Sequence, residues 1–226
     1  MTVPDSFGKP VLNKYPMLEI AIKENMIQLT PELTNVCQPF YMAGGTALAL
    51  QLGHRLSVDL DFFTANEFEN EPIIERLQPD RVVMNYRQTL HLEKNGVRIT
   101  FLFYDVPLVF PSLSWRGLQI ADSRDIIAEK FKTVSQRGAR KDFCDLYAAF
   151  HQGFDIATAC AVFNKRFLNT GINSYAVLKS LTWFQDADHD PDPVWLSVDY
   201  TTDWSTIRDY FTSHAREFKQ HLVDSI

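Results

Sequence analysis

The sequence has little of what would quickly assign it to a structural class. It has three cysteines among 226 residues, Cys37, Cys144 and Cys160. They are odd in number, far apart and outside any Cys-x-x-Cys or Cys/His cluster, which excludes a disulfide scaffold and a structural zinc site. No apolar run approaches the roughly 18 residues of a membrane-spanning helix. The first residues, MTVPDSFGKP, lack the basic and apolar regions of a signal peptide. A cytoplasmic location with no membrane partner is therefore expected. Internal repeats and low-complexity segments are also missing. Basic residues do not predominate: 22 Lys+Arg face 28 Asp+Glu, a net charge of −6, which excludes a broad nucleic-acid-coating surface but not a local basic patch. The hydrophobic share of 46% and charged share of 22% suit a soluble globular chain and exclude a disordered one.

Patterning divides the chain. Residues 1–39 read as helical after a loose start, punctuated by Pro31 and Pro39. Phe40 to Ala43 reads as a buried strand ending at Gly44-Gly45, and Ala47–Leu56 as a helix capped by Thr46. Ser57–Phe63 alternates, with Val58, Leu60 and Phe62 on one face and Asp59, Asp61 and Phe63 on the other. A short helix over Glu71–Leu77 follows. Strands are expected at Arg81–Gln88, Thr89–Glu93 and Val97–Tyr104, the last two joined by an Asn95-Gly96 hairpin turn. Pro107 and Pro111 end the expected sheet. From Ser123 the pattern is helical: one helix to Gly138, a second from Ala139 to Phe150, helices over 155–186 broken at Asn169-Thr170-Gly171, and a last one over 204–222. The expected fold is α+β: a mixed-sheet core over residues 1–110 and a helical region over 111–226 that completes the active-site cleft.

Two segments carry chemistry. Asp59 and Asp61 lie roughly 6–7 Å apart on one strand face. Two such carboxylates repel unless a cation joins them, and Mg²⁺ suits one or two carboxylates together with phosphate oxygens. The Gly44-Gly45-Thr46 turn between strand and helix can offer backbone N–H groups and a hydroxyl to phosphate. The second segment, 130–141, carries Lys130, Lys132, Arg137, Arg140 and Lys141 and no acid. Lys130 and Arg137 share a helix face, and Lys141 and Asp145 stand at i,i+4. This is either a solvated face with one local ion pair or a cationic wall that clamps triphosphate, with Asp142 or Asp145 accepting a proton. Arg55, beside the acidic strand, either neutralises the carboxylates, touches phosphate or complements its helix dipole.

Taken together, Gly45-Thr46, twelve intervening residues and Asp59-Leu60-Asp61 resemble the nucleotidyltransferase signature of the polymerase-beta superfamily. The string GGTALALQLGHRLSVDLDFF is similar to the AbiEii/AbiGii toxin family, and so are Asp125 to Lys130, Arg137-Gly138 and Lys141 to Tyr147. The resemblance spans about residues 40–150 and extends more weakly through 184–204. It implies a polymerase-beta-like fold in which Gly44, Gly45 and Thr46 hold nucleotide phosphates and Asp59 and Asp61 bind Mg²⁺, or Mn²⁺ in its place. It further implies that Lys130 contacts the triphosphate, with Arg55 and Lys141 as further nucleotide contacts, and that Asp142 or Asp145 completes the site. Its implied reaction moves a nucleotide from an NTP, GTP or CTP, to a tRNA or protein acceptor, as in type IV toxin–antitoxin or abortive-infection systems with a cognate antitoxin.

Other residues carry less. A third carboxylate is common on a later strand of such sites, but Val97–Tyr104 offers none in its middle, with Asp105 at its end and Glu93 one strand earlier. That gap motivates a second reading, a nucleotide- or partner-binding module without turnover. A third, a metal-dependent glycosyltransferase, shares only the Asp-x-Asp pair. The Asp186/Asp188/Asp190 stretch reads as an acidic turn, Cys144 as a small core residue, and the 17 phenylalanines as mainly core.

Overall fold

The computed structural model describes residues 16–197 and 202–224; the start of the expected N-terminal helical segment, residues 1–15, lies outside them. The chain divides into two compact units, one over Met17–Asp122 and one holding Ser123 onward.

The first unit begins not with a long helix but with a 3₁₀ turn at Glu19–Ala21 and two short helices, α1 (Glu24–Gln28) and α2 (Thr30–Thr34). Pro31 sits in the first turn of α2, where a missing N–H is tolerated, so it starts a new helix rather than extending the old one. The sheet strands are β1 (Tyr41–Ala43), β2 (Asp59–Thr64), β3 (Arg81–Tyr86), β4 (Thr89–Lys94), β5 (Val97–Phe103), β6 (Leu113–Trp115) and β7 (Leu118–Ile120). Helices α3 (Gly44–Leu52) and α4 (Glu71–Leu77) complete the unit. The strands form one sheet in the order β3-β4-β5-β2-β1-β7-β6. It is mixed: β2 runs parallel to β5 and β1 parallel to β7, while β1 and β2 are antiparallel.

The sheet does not stop at Pro107 and Pro111. It continues to Ile120, with β7 beside β1. Arg116 and Gly117 both have positive φ, and they make the tight turn between β6 and β7 as Asn95-Gly96 does between β4 and β5. The core follows the alternation of β2: Leu60 and Phe62 are buried, and Phe62 stacks on Phe101 at 5.2 Å. Strand β3 forms an edge, exposed at every position, with a register shift between Val82 and Met84. Asn70 braces the β3–β4 turn through bonds from Nδ2 to the carbonyls of Tyr86 (2.8 Å) and Thr89 (3.2 Å).

The second unit is helical: α5 (Ser123–Arg137), α6 (Arg140–His151), α7 (Ile156–Phe167), α8 (Ser174–Ser180), α9 (Trp204–Ser213) and α10 (Ala215–Leu222). Gly138, at φ 56°, ends α5 as the sequence predicts. The single last helix expected over 204–222 is broken at His214, whose Nδ1 lies 2.8 Å from the Tyr210 carbonyl and competes for a helical acceptor. Phe131, Phe143, Phe163, Phe211 and Phe218 are fully buried; Phe131 meets Phe163 edge to face at 5.9 Å, and Phe211 stacks on Phe218 at 5.9 Å. Asp155 caps α7 by accepting from the Thr158 N–H at 2.7 Å. Burial opposes ionisation of Asp155, but the Thr158 bonds outweigh it and lower its pKa. Asp155→Ala should lower stability by about 1 kcal/mol in urea titration at neutral pH. No helix among the described residues is long and apolar enough to cross a membrane.

Candidate active site

Strand β1 passes into α3 without a loop. The change of direction occurs at Gly44, which has φ 73° and opens the helix. Ala43 pairs with Asp61 in the β1–β2 ladder, so the Asp61 carboxylate stands against this junction. A Cβ on Gly44 would lie 2.9 Å from Asp61 Oδ2. Gly44 is thus required twice, by backbone conformation and by the neighbouring carboxylate. Gly44→Ala should lose about 1–2 kcal/mol of stability and move Asp61, read as a lower thermal midpoint.

Helix α3 begins at Gly44, three residues earlier than the pattern predicts. Gly45 is helical, and Thr46 lies within the first turn rather than at the cap. The Thr46 hydroxyl is buried, 2.7 Å from Ser57 Oγ and hydrogen-bonded to the Asp59 carbonyl. It pins the start of β2 to the helix and so positions Asp59. Arg55 is also buried, and its Nη1 donates to the Leu56 carbonyl at 3.2 Å.

Asp59 and Asp61 share a sheet face as expected, with β5 alongside in parallel register: Asp59 opposite Arg98 and Asp61 opposite Thr100. Arg98 Nε lies 2.8 Å from Asp59 Oδ1. This is a charge contact without hydrogen-bond geometry, because Oδ1 is shielded from solvent and has no hydrogen-bond partner among the described residues. Asp59 and Arg98 line a cleft of about 220 Å³ with Lys23, Asn25 and Met26.

In the second unit, Lys130 Nζ sits 2.7 Å from Asp142 Oδ1 and 2.6 Å from Asp145 Oδ2. Both aspartate side chains are 0% exposed and the lysine 5%. Arg137 adds two bonds to Asp142, at 2.8 and 2.9 Å. Burial pushes the Asp142 carboxyl upward, but the charge of Lys130 and the charge and bonds of Arg137 prevail and hold it below the usual range. The sequence spacing suggests a local Lys141–Asp145 pair. Instead, Asp145 faces inward to Lys130, and Lys141 is exposed.

The rest of the basic segment is also engaged. Lys132 meets Glu129 at 2.9 Å. Arg140 donates to the carbonyls of Ala187 (3.0 Å) and Asp188 (2.8 Å) and to Asp192 Oδ1 (2.7 Å), while Asp190 caps its backbone N–H. The acidic stretch 186–192 is therefore a receptor for Arg140. Arg166, unremarked in the sequence, pairs with buried Asp125 at 3.2 Å and Glu129 at 3.3 Å.

Comparison with known proteins resolves what these motifs belong to. The family model described as nucleotidyl transferase AbiEii toxin, type IV TA system, matches residues 33–100 and 78–222. The chain belongs to the AbiEii nucleotidyltransferase toxin family. An uncharacterised Aquifex aeolicus protein is 31% identical over 194 residues, covering 82% of this chain and 91% of that one. MenT4, a nucleotidyltransferase toxin of Mycobacterium tuberculosis, superposes with a TM-score of 0.53 at 17% identity, covering 88% of this chain and 91% of its own. JHP933 from Helicobacter pylori gives 0.50 at 14% identity, covering 90% and 96%. At these identities the two structures speak for the fold alone.

The matched ranges include the glycine turn, the Asp-x-Asp pair, Lys130, Asp142 and Asp145. Among the described residues no group of three or more His, Cys, Asp or Glu is placed to hold a metal ion. The donor set nevertheless fits a hard divalent cation. Asp59 Oδ1 is a buried oxygen with the Arg98 charge contact but no hydrogen bond, and Asp61 Oδ2 occupies space that only a glycine at 44 leaves open. Arg98 is the residue that sequence reasoning missed. The expected strand Val97–Tyr104 has no acid in its middle, and the register placing Arg98 opposite Asp59 is long-range. Its only local signal is the position two residues after the Asn95-Gly96 turn.

Proposed function

We propose that the chain transfers a nucleotide from an NTP, GTP or CTP, to a tRNA or protein acceptor with release of pyrophosphate, and that it requires Mg²⁺ or Mn²⁺. The observation that carries this reading is the placement of the Asp59 and Asp61 carboxylates on one sheet face, with Asp61 against the glycine-opened start of α3. Asp59 and Asp61 would hold the cation, which when bound neutralises triphosphate charge and polarises the phosphoryl oxygens. Gly44 and Gly45 present the opening N–H groups of α3 to anionic oxygen. Thr46 acts through Asp59, whose carbonyl its hydroxyl holds. Lys130 and Lys141 carry the expected triphosphate contacts, and Asp142 or Asp145 the expected proton acceptance from the attacking hydroxyl. For Lys130, Asp142 and Asp145 those roles must coexist with their mutual contacts and with side chains 5%, 0% and 0% exposed. A cognate antitoxin is the proposed partner, and the cytoplasm the proposed location.

The test is incubation with each α-labelled NTP, Mg²⁺ and either total tRNA or cell lysate. Label should enter tRNA or protein with wild type and not with Asp59→Asn/Asp61→Asn; equal labelling by both removes the proposal. A second reading, binding without turnover, is favoured by the missing third carboxylate among the described residues. It predicts saturable NTP binding in calorimetry and no product after hours.

A further inference from the structure

The face of the sheet that carries Asp59 also carries a row of alternating charge. In register across four strands it reads Arg81 on β3, Glu93 on β4, Arg98 on β5 and Asp59 on β2. Opposed residues in neighbouring strands project to the same face with Cβ atoms about 5 Å apart. Arg81 reaches Glu93 at 3.1 Å, and Arg98 reaches Asp59 at 2.8 Å. Arg98 therefore stands between two carboxylates and, in this structure, lies on Asp59.

The guanidinium covers Oδ1 of Asp59, the oxygen otherwise left without a hydrogen bond. The Arg98 side chain is 66% exposed, so no core packing holds it in place. Its contact lacks hydrogen-bond geometry, and an exposed pair of this kind is weak. Glu93 is the directly opposed residue on its other side, is 35% exposed, and has a single monodentate arginine contact at Oε1. A long cationic side chain loosely held by one carboxylate, with a second directly opposite on the other neighbouring strand, has two resting places.

We propose that Arg98 is an intramolecular competitor for the divalent-cation position at Asp59, and that it moves to Glu93 when a cation binds. Arg98 then offsets the charge of Asp59 while the cation is absent, and Glu93 receives the guanidinium once the cation arrives. This rests on the proposed cation site at Asp59 and Asp61, and the test separates the two ideas.

Mn²⁺ binding to the full-length protein is read from loss of the free-ion signal in electron paramagnetic resonance, at low ionic strength and without nucleotide. Wild type should bind saturably, and Asp59→Asn should abolish that binding. Arg98→Gln should bind about fivefold more tightly than wild type, the scale of one partly exposed ion pair. Glu93→Gln should bind about twofold more weakly, having lost the alternative acceptor. Both variants are surface changes, and matching thermal midpoints establish that they fold. Equal or weaker Mn²⁺ affinity in Arg98→Gln overturns competition while leaving the cation site standing. Unchanged affinity in Glu93→Gln overturns the exchange of partner. No Asp59-dependent binding in wild type overturns the cation site and the competition together.

Discussion

Lys130→Met should reduce stability by about 3–5 kcal/mol, enough to leave a domain of ordinary stability near its unfolding threshold. The substitution removes the one ammonium shared by two aspartates that are fully out of solvent, and it leaves Asp145 without that partner. Asp142 keeps Arg137. Urea titration at neutral pH measures the loss. Adding Asp145→Asn to Lys130→Met should recover part of the loss, because the stranded charge is gone. If Lys130→Met unfolds at the wild-type urea midpoint, the buried cluster contributes nothing to stability. A pH dependence follows from the same cluster. The Asp142 carboxyl is lowered in the folded state, so its contribution is present above the unfolded value of roughly 3.9 and is lost as pH falls through the lower folded value. The acid limb of a stability–pH curve should therefore be shallower in Asp142→Asn.

Asp61→Asn should cut nucleotide transfer by on the order of 10³-fold or more while leaving the fold in place. The amide matches the carboxylate in size beside Gly44 but brings no negative charge to a cation. Asp59→Asn should act similarly, with one difference: it also releases Arg98 from its 2.8 Å contact. Initial rates of labelled-nucleotide transfer, with circular dichroism as the folding control, check both. Retention of more than a tenth of wild-type transfer by Asp61→Asn would sink the assignment of Asp61 as a cation ligand.

Much of this could be read in the sequence where the determinants are local. The alternation of Asp59 to Phe63, the Asn95-Gly96 turn and the helix start at Ser123 each depend on a few neighbouring residues, and the structure has them there; Val58, expected on the apolar face, instead precedes β2 and is exposed. Strands β6 and β7 were hidden because each is three residues long and follows two prolines; Arg116-Gly117 was the available turn signal. The site residues divide in the same way. Asp59, Asp61 and Gly44 form a local motif. The pairings Asp59 with Arg98 and Lys130 with Asp142 and Asp145 depend on how strands register and how α5 folds back on α6. Lys141 shows the limit of helical spacing: i,i+4 permits a contact with Asp145, but burial gave Asp145 to a residue fifteen positions earlier.

The loop-free passage from β1 into α3 has a consequence for binding cost. Residues Tyr41 to Leu52 run from ladder to helix with only Gly44 turning the chain, and Thr46 ties this helix to the backbone of β2. Under the proposed phosphate contact at the opening of α3, an anion would meet donors already in place and lose none of its binding energy to ordering a flexible segment. Such preorganisation would also remove a means of control: in the proposed reaction, discrimination among nucleotides would come from the side chains around this turn and not from its closure.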